Sequence, residues 1–450
     1  MKVHFLGIGG SGASAAAAIA QAQGFEVTGC DLEPHNEFTA QFKNSQLFRG
    51  HDPKHLDCNL EGCSVDILAV TPAIFSLDPN NPELLEAKKI GIPILTWQQF
   101  LGEYLTKGKF VIAVCGTHGK TTTTAMIAQL LEDANLDPTV ELGAIHPKWK
   151  ANYRVGRGKY FVIEADEFND NFLHLKPDIM VVTTIEMDHP EYFKNFEAVK
   201  ESFKKFLLSK KGTSSSQTKQ FIIANLSDPV VRKILNVHPN VGSSPNKGVN
   251  TIIDYSKHLI DFPLLIPGDF NVLNASAANQ VGLVLGVDPQ TIQKSLSSYT
   301  GVGRRFEYLG EYKGAKIFSD FGHHPTEIKV TMEAARQKFP NQKLTLVYEP
   351  HMFSRTKALF DDFVKVFKEI PVDKIILTDI YPSREVDTGL VTSQQIVDAI
   401  DDDTLLTKTC VYHSKDQLLP MLKQHLQKGD VIFFMGAGEI DKLARELVVA

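Results

Sequence analysis

Short apolar runs alternate with stretches of helical periodicity along most of the chain. In the first hundred residues, apolar runs at 3–6, 25–28, 67–70 and 93–95 surround a helical stretch at 14–22. Strands and helices that alternate in this way predict a doubly wound α/β unit.

A second unit begins at the near-continuous apolar run 109–114, which is typical of a parallel strand buried on both faces. It follows a polar turn, so we place a domain boundary near residue 107. Further strands are predicted at 160–163 and 179–183, with a helix around 196–208. The polar segment 210–217 predicts a solvated loop.

A third unit follows a helical stretch that closes at Gly301 and Gly303. Apolar runs at 344–348, 374–377 and 431–435 predict its strands. The chain is therefore expected to be an α/β protein of three domains, covering residues 1–107, 108–300 and 301–450.

Composition narrows the class of partner. The 450 residues include 47 basic and 53 acidic side chains, a formal charge of −6, without basic runs. This argues against nucleic-acid or membrane-surface binding and favours small molecules. No signal peptide or membrane-spanning run is predicted. The five cysteines are dispersed without a CxxC pair, which favours a reducing, cytoplasmic setting; they are Cys30, Cys58, Cys63, Cys115 and Cys410.

The strongest motif follows the strand at 109–114 and precedes a helical stretch. Backbone N–H groups, a lysine and a hydroxyl at such a turn can bind phosphate and Mg²⁺. Its residues are Gly116, Thr117, His118, Gly119, Lys120, Thr121 and Thr122. Only two residues separate the glycines, so we interpret it as a shortened phosphate loop.

A second glycine motif follows the first strand, and an aspartate ends the next one. This arrangement suits a diphosphate at a helix N-terminus, so NAD and a nucleoside-diphosphate sugar are both compatible, as is a turn without ligand. The residues are Gly7, Gly9, Gly10, Ser11, Gly12 and Asp31.

Carboxylates and a histidine follow two strands of the second unit. Glu164 and His189 are predicted to help hold metal ions that bridge ATP phosphates, one ion between Thr121 and Glu164 and another near His189. A solvated loop position remains an equal alternative for the neighbouring carboxylates Asp166, Glu167, Glu186 and Asp188.

The third unit carries imidazoles and an arginine after two strands. His323, His324, His351 and Arg355 could bind a carboxylate or phosphate, Arg355 best through its planar guanidinium. Alternatively, the histidines satisfy only neighbouring backbone groups.

Taken together, the motifs resemble those of the bacterial Mur ligases, most closely the alanine-adding branch. They occur in family order from residue 4 to 440 and include HFLGIGGSG, GTHGKTTT, EADE, TTIEMDHPEYF, SDFGHHPTE and EPHMFSRT. The resemblance implies a Rossmann-like domain for a UDP-sugar, a central P-loop ATPase domain with a mostly parallel sheet, and a C-terminal Rossmann-like domain for an amino acid.

The resemblance also implies residue roles. Lys120 and its loop would contact ATP phosphates, and Thr121, Glu164 and His189 would bind Mg²⁺. Arg305 would lie near the γ-phosphate. The remaining implied contacts are Asn271 and Asn274 near adenine, Asp320 at the ribose, and His324, His351 and Arg355 at the amino acid and reacting carboxylate. Phe270 and Met352 depart from residues common in the family.

The function implied is ATP-dependent ligation of L-alanine to UDP-N-acetylmuramate through an acyl phosphate, in cytoplasmic peptidoglycan precursor synthesis. The alternative within the family is a murein recycling ligase, which joins a preformed tripeptide to the same sugar nucleotide. An NAD-dependent dehydrogenase would leave the phosphate loop without a purpose, and a regulator without catalysis is disfavoured by the intact metal-ligand positions. The sequence does not specify an oligomeric state.

Overall fold

The computed structural model describes residues 1–56, 65–209, 220–237, 250–383, 385–401 and 408–449. Cys58, Cys63 and the predicted loop at 210–217 lie outside the described residues. Three mostly parallel sheets, each accompanied by helices, confirm the predicted α/β class.

The first sheet has five parallel strands in the order β3-β2-β1-β4-β5. The strands are β1 (Lys2–Leu6), β2 (Glu26–Asp31), β3 (Leu47–Arg49), β4 (Ile67–Val70) and β5 (Ile94–Thr96). Its helices are α1 (Ser11–Ala22), α2 (Ile74–Leu77), α3 (Pro82–Ile90) and α4 (Trp97–Phe100), and the last continues into a π-helical turn at Leu101–Leu105. Among these strands only β3 was not predicted, and among these helices only α1 was predicted individually.

The second sheet has seven strands in the order β12-β11-β10-β6-β9-β7-β8, of which only the β7–β8 pair is antiparallel. The strands are β6 (Phe110–Cys115), β7 (Thr139–His146), β8 (Ala151–Arg154), β9 (Tyr160–Glu164), β10 (Ile179–Val182), β11 (Gln220–Ala224) and β12 (Asn250–Asp254). The helices are α5 (Lys120–Asp133), α6 (Phe196–Leu207), α7 (Pro229–Ile234), α8 (Asp269–Val284) and α9 (Pro289–Ser297).

The third sheet has six strands in the order β13-β14-β18-β15-β16-β17, and only β13–β14 is antiparallel. The strands are β13 (Glu307–Tyr312), β14 (Ala315–Asp320), β15 (Leu344–Tyr348), β16 (Lys374–Leu377), β17 (Thr409–Tyr412) and β18 (Val431–Met435). The helices are α10 (Pro325–Lys338), α11 (Phe353–Ala358), α12 (Phe360–Glu369), α13 (Ser393–Asp401), α14 (Lys415–His425) and α15 (Ile440–Val449).

The chain divides into two compact units. The first comprises Met1–Met187, Phe196–Phe262 and Leu273–Ser298, and therefore both of the first two sheets. The second comprises Asp188–Asn195, Pro263–Val272 and Tyr299–Ala450. The two predicted domain boundaries, near residues 107 and 300, stay predictions. No helix in the described part of the chain is long and apolar enough to cross a bilayer.

Fully buried strands explain the continuous apolar runs. Every residue of β4, β10, β15 and β18 is buried, as expected for parallel strands covered by helices on both faces. Apolar residues are favoured along the length of such a strand, because a polar side chain there would lose its hydration. The carboxyl ends of these strands are therefore where polar side chains can gather.

Helix α1 packs closely against helix α4 because its residues are small. Its alanines are buried from Ala13 to Ala20, and a Cβ built on Gly12 would lie 2.3 Å from the Trp97 ring. The indole is a bulky neighbour that cannot shift without disturbing α4. We therefore expect Gly12→Val to lower the free energy of unfolding by about 1–3 kcal/mol through overpacking.

Gly10→Ala is the matched control, since its new Cβ would meet only Gly7 O at 3.7 Å, an ordinary contact. Urea unfolding should separate the two variants. Equal stability of Gly12→Val and Gly10→Ala would show that the helix does not need this close approach.

Candidate functional site

The N-terminal glycine loop is tied to the end of β2. Gly7 has a φ of +88° and its N–H donates to Cys30 O at 2.9 Å. The Gly9 N–H donates to Asp31 Oδ2, also at 2.9 Å. The structure thus brings together the predicted loop and Asp31, with Gly10 and Ser11 at the start of α1. Their binding of a sugar nucleotide stays a prediction.

The phosphate loop connects β6 to α5 and depends on two glycines. Gly116 has a φ of +132° and Gly119 a φ of +82°, a region that side chains rarely adopt. A Cβ would lie 2.0 Å from Thr183 Oγ1 at Gly116 and 2.6 Å from Asn274 Oδ1 at Gly119. Asn274 also lies 3.2 Å from the Thr123 hydroxyl, so it supports the first turn of α5.

Lys120, the first residue of α5, points back into the loop. Its ammonium donates to Gly116 O at 2.6 Å and to the two Glu167 carboxylate oxygens at 3.0 and 2.8 Å. Burial lowers the pKa of Lys120, but the carboxylates of Glu167 and Asp166 outweigh that effect and hold it above its usual value. Lys120 is therefore a permanent cation at the carboxyl end of β6.

The predicted metal-ligand pair is also in contact. The Thr121 hydroxyl donates to Glu164 Oε1 at 2.8 Å, and the Gly143 N–H donates to Glu164 Oε2 at 2.9 Å. Threonine and carboxylate oxygens form the hard donor set that Mg²⁺ prefers. Burial raises the pKa of the adjacent Glu141 well above its usual value, and the Glu164 carboxylate raises it further.

The segment that follows β10 forms hydrogen bonds with the rest of the loop. The Thr117 N–H donates to Thr184 O at 2.7 Å, and the Thr117 hydroxyl accepts the Glu186 N–H at 2.9 Å. The His118 Nε2 lies 3.5 Å from Glu186 Oε2. Thr122 is buried in the first turn of α5. All seven predicted loop residues therefore lie between the end of β6 and the first turn of α5.

His189 lies in the second compact unit and adopts a φ of +53°. Its Nδ1 lies 3.1 Å from Glu191 Oε1, and its backbone N–H donates to Asp188 Oδ1 at 2.7 Å. Although burial raises the pKa of Glu191, its contact with His189 lowers that value to about 2. A metal-binding role for His189 stays a prediction.

Arg355 is almost fully buried within the second unit, with 2% of its side chain exposed. Its Nη2 donates to Asp188 Oδ1 at 2.9 Å, and its Nη1 lies 3.0 Å from His351 Nδ1. Burial raises the pKa of Asp188, but His189 and Arg355 outweigh it and hold the pKa well below its usual range. The guanidinium that was predicted to bind a substrate carboxylate is thus already paired with a protein carboxylate.

His324 caps helix α10. Its Nδ1 accepts the Thr326 N–H at 3.2 Å, while Glu327 accepts the His324 N–H, also at 3.2 Å. These contacts match the alternative interpretation, in which the histidine satisfies backbone groups. Burial lowers the pKa of the neighbouring His323 to about 4, so that imidazole is neutral.

Arg305 and Asp320 lie near the same helix. Arg305 Nη1 is 3.7 Å from Glu327 Oε1, and its guanidinium lies over the Phe321 ring. Asp320 accepts the N–H groups of Phe306 at 2.8 Å and Gly322 at 2.7 Å. Asp320 therefore organises the turn after β14, and its predicted ribose contact stays a prediction.

Asn271 and the two departures from the family pattern also lie in the second unit. The Asn271 side chain donates to Pro267 O at 2.6 Å. Phe270 covers Gly268, where a Cβ would lie 2.5 Å from the ring. Met352 is buried with a φ of +68°, a strained conformation for a side chain of its size. The adenine contacts of Asn271 and Asn274 stay predictions.

Three carboxylates have environments that the sequence pattern did not specify. A solvated position was an equal alternative for Glu167 and Asp188, yet both are buried, and they pair with Lys120 and Arg355, respectively. Their positions after buried strands are the feature of the sequence that indicates such burial. Glu141 was not predicted, since it lies within β7, where nothing in the local pattern marks it.

Three family models match the chain in order. They are described as "Mur ligase family, catalytic domain" over residues 2–108, "Mur ligase middle domain" over 114–282 and "Mur ligase, glutamate ligase domain" over 304–438. Together they cover most of the sequence.

Curated relatives and solved structures agree with this match. A UDP-N-acetylmuramate–L-alanine ligase of Aquifex aeolicus is 36% identical, covering 99% of this chain and 97% of its own. A ligase of the same name from Alkaliphilus metalliredigens is 35% identical, and the match covers 99% of this chain and 96% of that protein. The structure of UDP-N-acetylmuramate-alanine ligase from Thermotoga maritima matches with a TM-score of 0.77 and 27% identity. The match covers 100% of this chain and 98% of that one. A murein peptide ligase from Psychrobacter arcticus shares the fold, with a TM-score of 0.66 and 23% identity. That match covers 100% of this chain and 98% of the ligase.

The buried Asp188–Arg355 pair gives a direct stability prediction. Replacing Asp188 with Asn leaves the Arg355 charge buried beside a neutral amide, which should cost about 3–5 kcal/mol of unfolding free energy. Glu439→Gln is the control, because Glu439 pairs with Lys442 at the surface at 2.9 Å and should contribute less than about 1 kcal/mol. Urea unfolding measures both, and a loss in Asp188→Asn no larger than in the control would contradict the buried pairing.

Proposed function

Because the chain belongs to the Mur ligase family, we propose that it joins L-alanine to UDP-N-acetylmuramate, with cleavage of ATP to ADP and phosphate, during peptidoglycan precursor synthesis. One observation carries this proposal: a chain matched over 99% of its length by L-alanine ligases keeps an intact phosphate loop, with Lys120 and the Thr121–Glu164 pair in place.

The chemistry requires activation of a carboxylate that is otherwise a poor electrophile. An oxygen of the lactyl carboxylate attacks the γ-phosphorus of ATP, giving an acyl phosphate and ADP. The amine of L-alanine then attacks the acyl carbon, and phosphate leaves as the amide forms. Such phosphoryl transfer depends mainly on positioning and on cations that offset the spreading negative charge.

Lys120 supplies the fixed positive charge at the phosphates. It is buried and held by Gly116 O and Glu167, so its ammonium is already oriented. The N–H groups of the loop and of the first turn of α5 add positive potential to the same place. Arg305 is the cation proposed for the γ-phosphate, and it lies beside Glu327 in the second unit.

Mg²⁺ is the metal that we propose for Thr121 and Glu164. Glu164 is oriented for this by the Gly143 N–H, and both side chains offer oxygen donors. When bound, the ion would offset the negative charge of the ATP phosphates. His189 is the proposed ligand of a second ion.

The amino acid is proposed to bind in the second unit. Arg355 is the cation proposed for the alanine carboxylate, and its contacts with Asp188 and His351 support this by holding the guanidinium in one orientation. One methyl group offers only about 1–3 kcal/mol of apolar recognition. We therefore expect weak discrimination against glycine and serine.

The rival functions receive less support. The relatives at 35–36% identity are named for L-alanine ligation, whereas the murein peptide ligase is 23% identical and supports only the fold. An NAD-dependent dehydrogenase is not favoured by any of these matches. A cytoplasmic location and the absence of nucleic-acid partners remain part of the proposal.

Replacing Lys120 with Ala tests the phosphate loop. Loss of the oriented ammonium should lower kcat by at least about 100-fold, since electrostatic stabilisation of the transferred phosphoryl group is lost. Phosphate release with ATP, Mg²⁺, UDP-N-acetylmuramate and L-alanine measures the effect. Lys89→Ala is the control, because Lys89 is exposed on α3 and pairs with Glu86 in the same helix. Near-normal turnover of Lys120→Ala would show that the loop is only structural.

The substrate assignment is tested by a panel of amines. Phosphate release should be fastest with free L-alanine, slower but measurable with glycine and L-serine, and negligible with the murein tripeptide. Mass spectrometry of the sugar-nucleotide product confirms which amine is joined. Efficient ligation of the tripeptide with no reaction of alanine would establish the recycling function instead.

A further inference from the structure

A second cluster of potential ligands lies in the first sheet, away from the phosphate loop. His4 is on β1, Cys30 on β2, His55 in the short 3-10 helix Pro53–His55, and Glu83 on α3. His4, Cys30 and Glu83 are fully buried, and 15% of the His55 side chain is exposed. Polar side chains with this degree of burial require partners, and here the partners are each other.

The four side chains converge on a single point. Each can offer one nitrogen, sulfur or oxygen atom such that all four atoms lie within 4.8 Å of one another. The Cys30 thiol donates to Glu83 Oε1 at 3.1 Å, and His55 Nδ1 lies 2.8 Å from the same oxygen. His4 Nε2 lies 3.1 Å from Glu83 Oε2, the other oxygen of the same carboxylate.

The surroundings orient these side chains inward. His4 Nδ1 lies 2.9 Å from the Thr28 hydroxyl, which leaves Nε2 directed at the cluster. The His55 ring stacks on Phe48 with centroids 4.5 Å apart. The Glu83 N–H donates to the Asn81 side chain at 3.0 Å, which places Glu83 in the first turn of α3. Outer partners of this kind typically hold metal ligands in position.

We propose that His4, Cys30, His55 and Glu83 bind one zinc ion. His51 Nδ1 lies 3.3 Å from the Cys30 sulfur and is a neighbour of this set, not one of its four convergent atoms. Two imidazoles, a thiolate and a carboxylate are a borderline-soft donor set, which suits Zn²⁺ and is unlike the oxygen donors around Thr121. Four protein ligands close the coordination sphere, so the site is structural and not catalytic. Binding releases the thiol proton to solvent as the sulfur–zinc bond forms.

Such an ion would brace the sugar-nucleotide loop. The carbonyl of Cys30 accepts the N–H groups of Gly7 at 2.9 Å and Ile8 at 3.1 Å, and the next residue, Asp31, accepts the Gly9 N–H. A metal held at the Cys30 side chain therefore lies directly behind the backbone that shapes this loop. It would link α3 to β1 and β2, in addition to the backbone hydrogen bonds that join the two strands and the side-chain contacts that Glu83 makes with both.

Cobalt substitution tests the site in the full-length protein. Metal-free protein is titrated with Co²⁺ in excess Mg²⁺, and we expect one equivalent to give sulfur-to-cobalt charge-transfer absorption. Mg²⁺ occupies oxygen-donor sites, which in any case give no thiolate band. Zn²⁺ should displace the band stoichiometrically. Absence of the band in the wild-type protein overturns the proposal.

Cysteine variants locate the ligand. Cys30→Ser should abolish the band, whereas Cys410→Ser and the Cys58→Ser/Cys63→Ser double variant should keep it. Cys410 is a suitable control because it is also buried but lies on β17. A band that survives in Cys30→Ser, or disappears in the double variant, overturns the assignment.

Two milder variants keep the test valid if Cys30→Ser fails to fold. Thr28→Val removes only the outer partner of His4 and should weaken Co²⁺ binding about 10–100-fold. His55→Gln, at a partly exposed position, should weaken it at least as much, with an unchanged far-ultraviolet circular dichroism spectrum. Zn²⁺ should raise the unfolding temperature of the wild type by mass action more than that of His55→Gln. Unaltered affinity in both variants contradicts the proposal.

Discussion

The close approach of backbone at the end of β6 is the constraint on which the candidate active site depends. Gly116 and Gly119 both adopt positive φ, and a side chain at either position would collide with Thr183 or Asn274. Because the turn is so tight, Lys120 starts helix α5 with its ammonium folded back onto Gly116 O. The glycines therefore determine where the cation lies, and Glu167 determines that it remains charged.

The same principle recurs in the other sheets. Parallel strands that are buried on both faces are mostly apolar along their length. Most of the candidate functional residues therefore lie just after the carboxyl ends of these strands. Asp31 at the end of β2 holds Gly9, and the turn after β14 is organised by Asp320. Protein partners thus orient nearly every candidate group: Arg355 by Asp188, and Glu164 by Gly143. Pre-orientation of this kind reduces the reorganisation needed during reaction.

The sequence predicted the parallel strands well because their apolar runs are continuous. It did not predict β3, β7, β8, β11, β12, β13 or β17, all of which lie at or next to a sheet edge, where only part of the residues need be apolar. The loop from Gly116 to Thr122 was predicted because its residues are contiguous. Pairs such as Arg355 with Asp188 could not be predicted, since the residues are 167 positions apart. The His4–Cys30–His55–Glu83 cluster was invisible for the same reason, because its ligands come from four elements without a motif spacing.

The proposed ligation depends on transfer of the γ-phosphoryl group of ATP to the substrate carboxylate, and oxygen labelling measures that transfer directly. UDP-N-acetylmuramate carrying ¹⁸O in its lactyl carboxylate is incubated with the enzyme, ATP, Mg²⁺ and L-alanine, and the released phosphate is examined by mass spectrometry. An acyl phosphate requires one labelled carboxylate oxygen to leave with each phosphate. Phosphate released at the same rate as amide forms, but free of ¹⁸O, would contradict the mechanism.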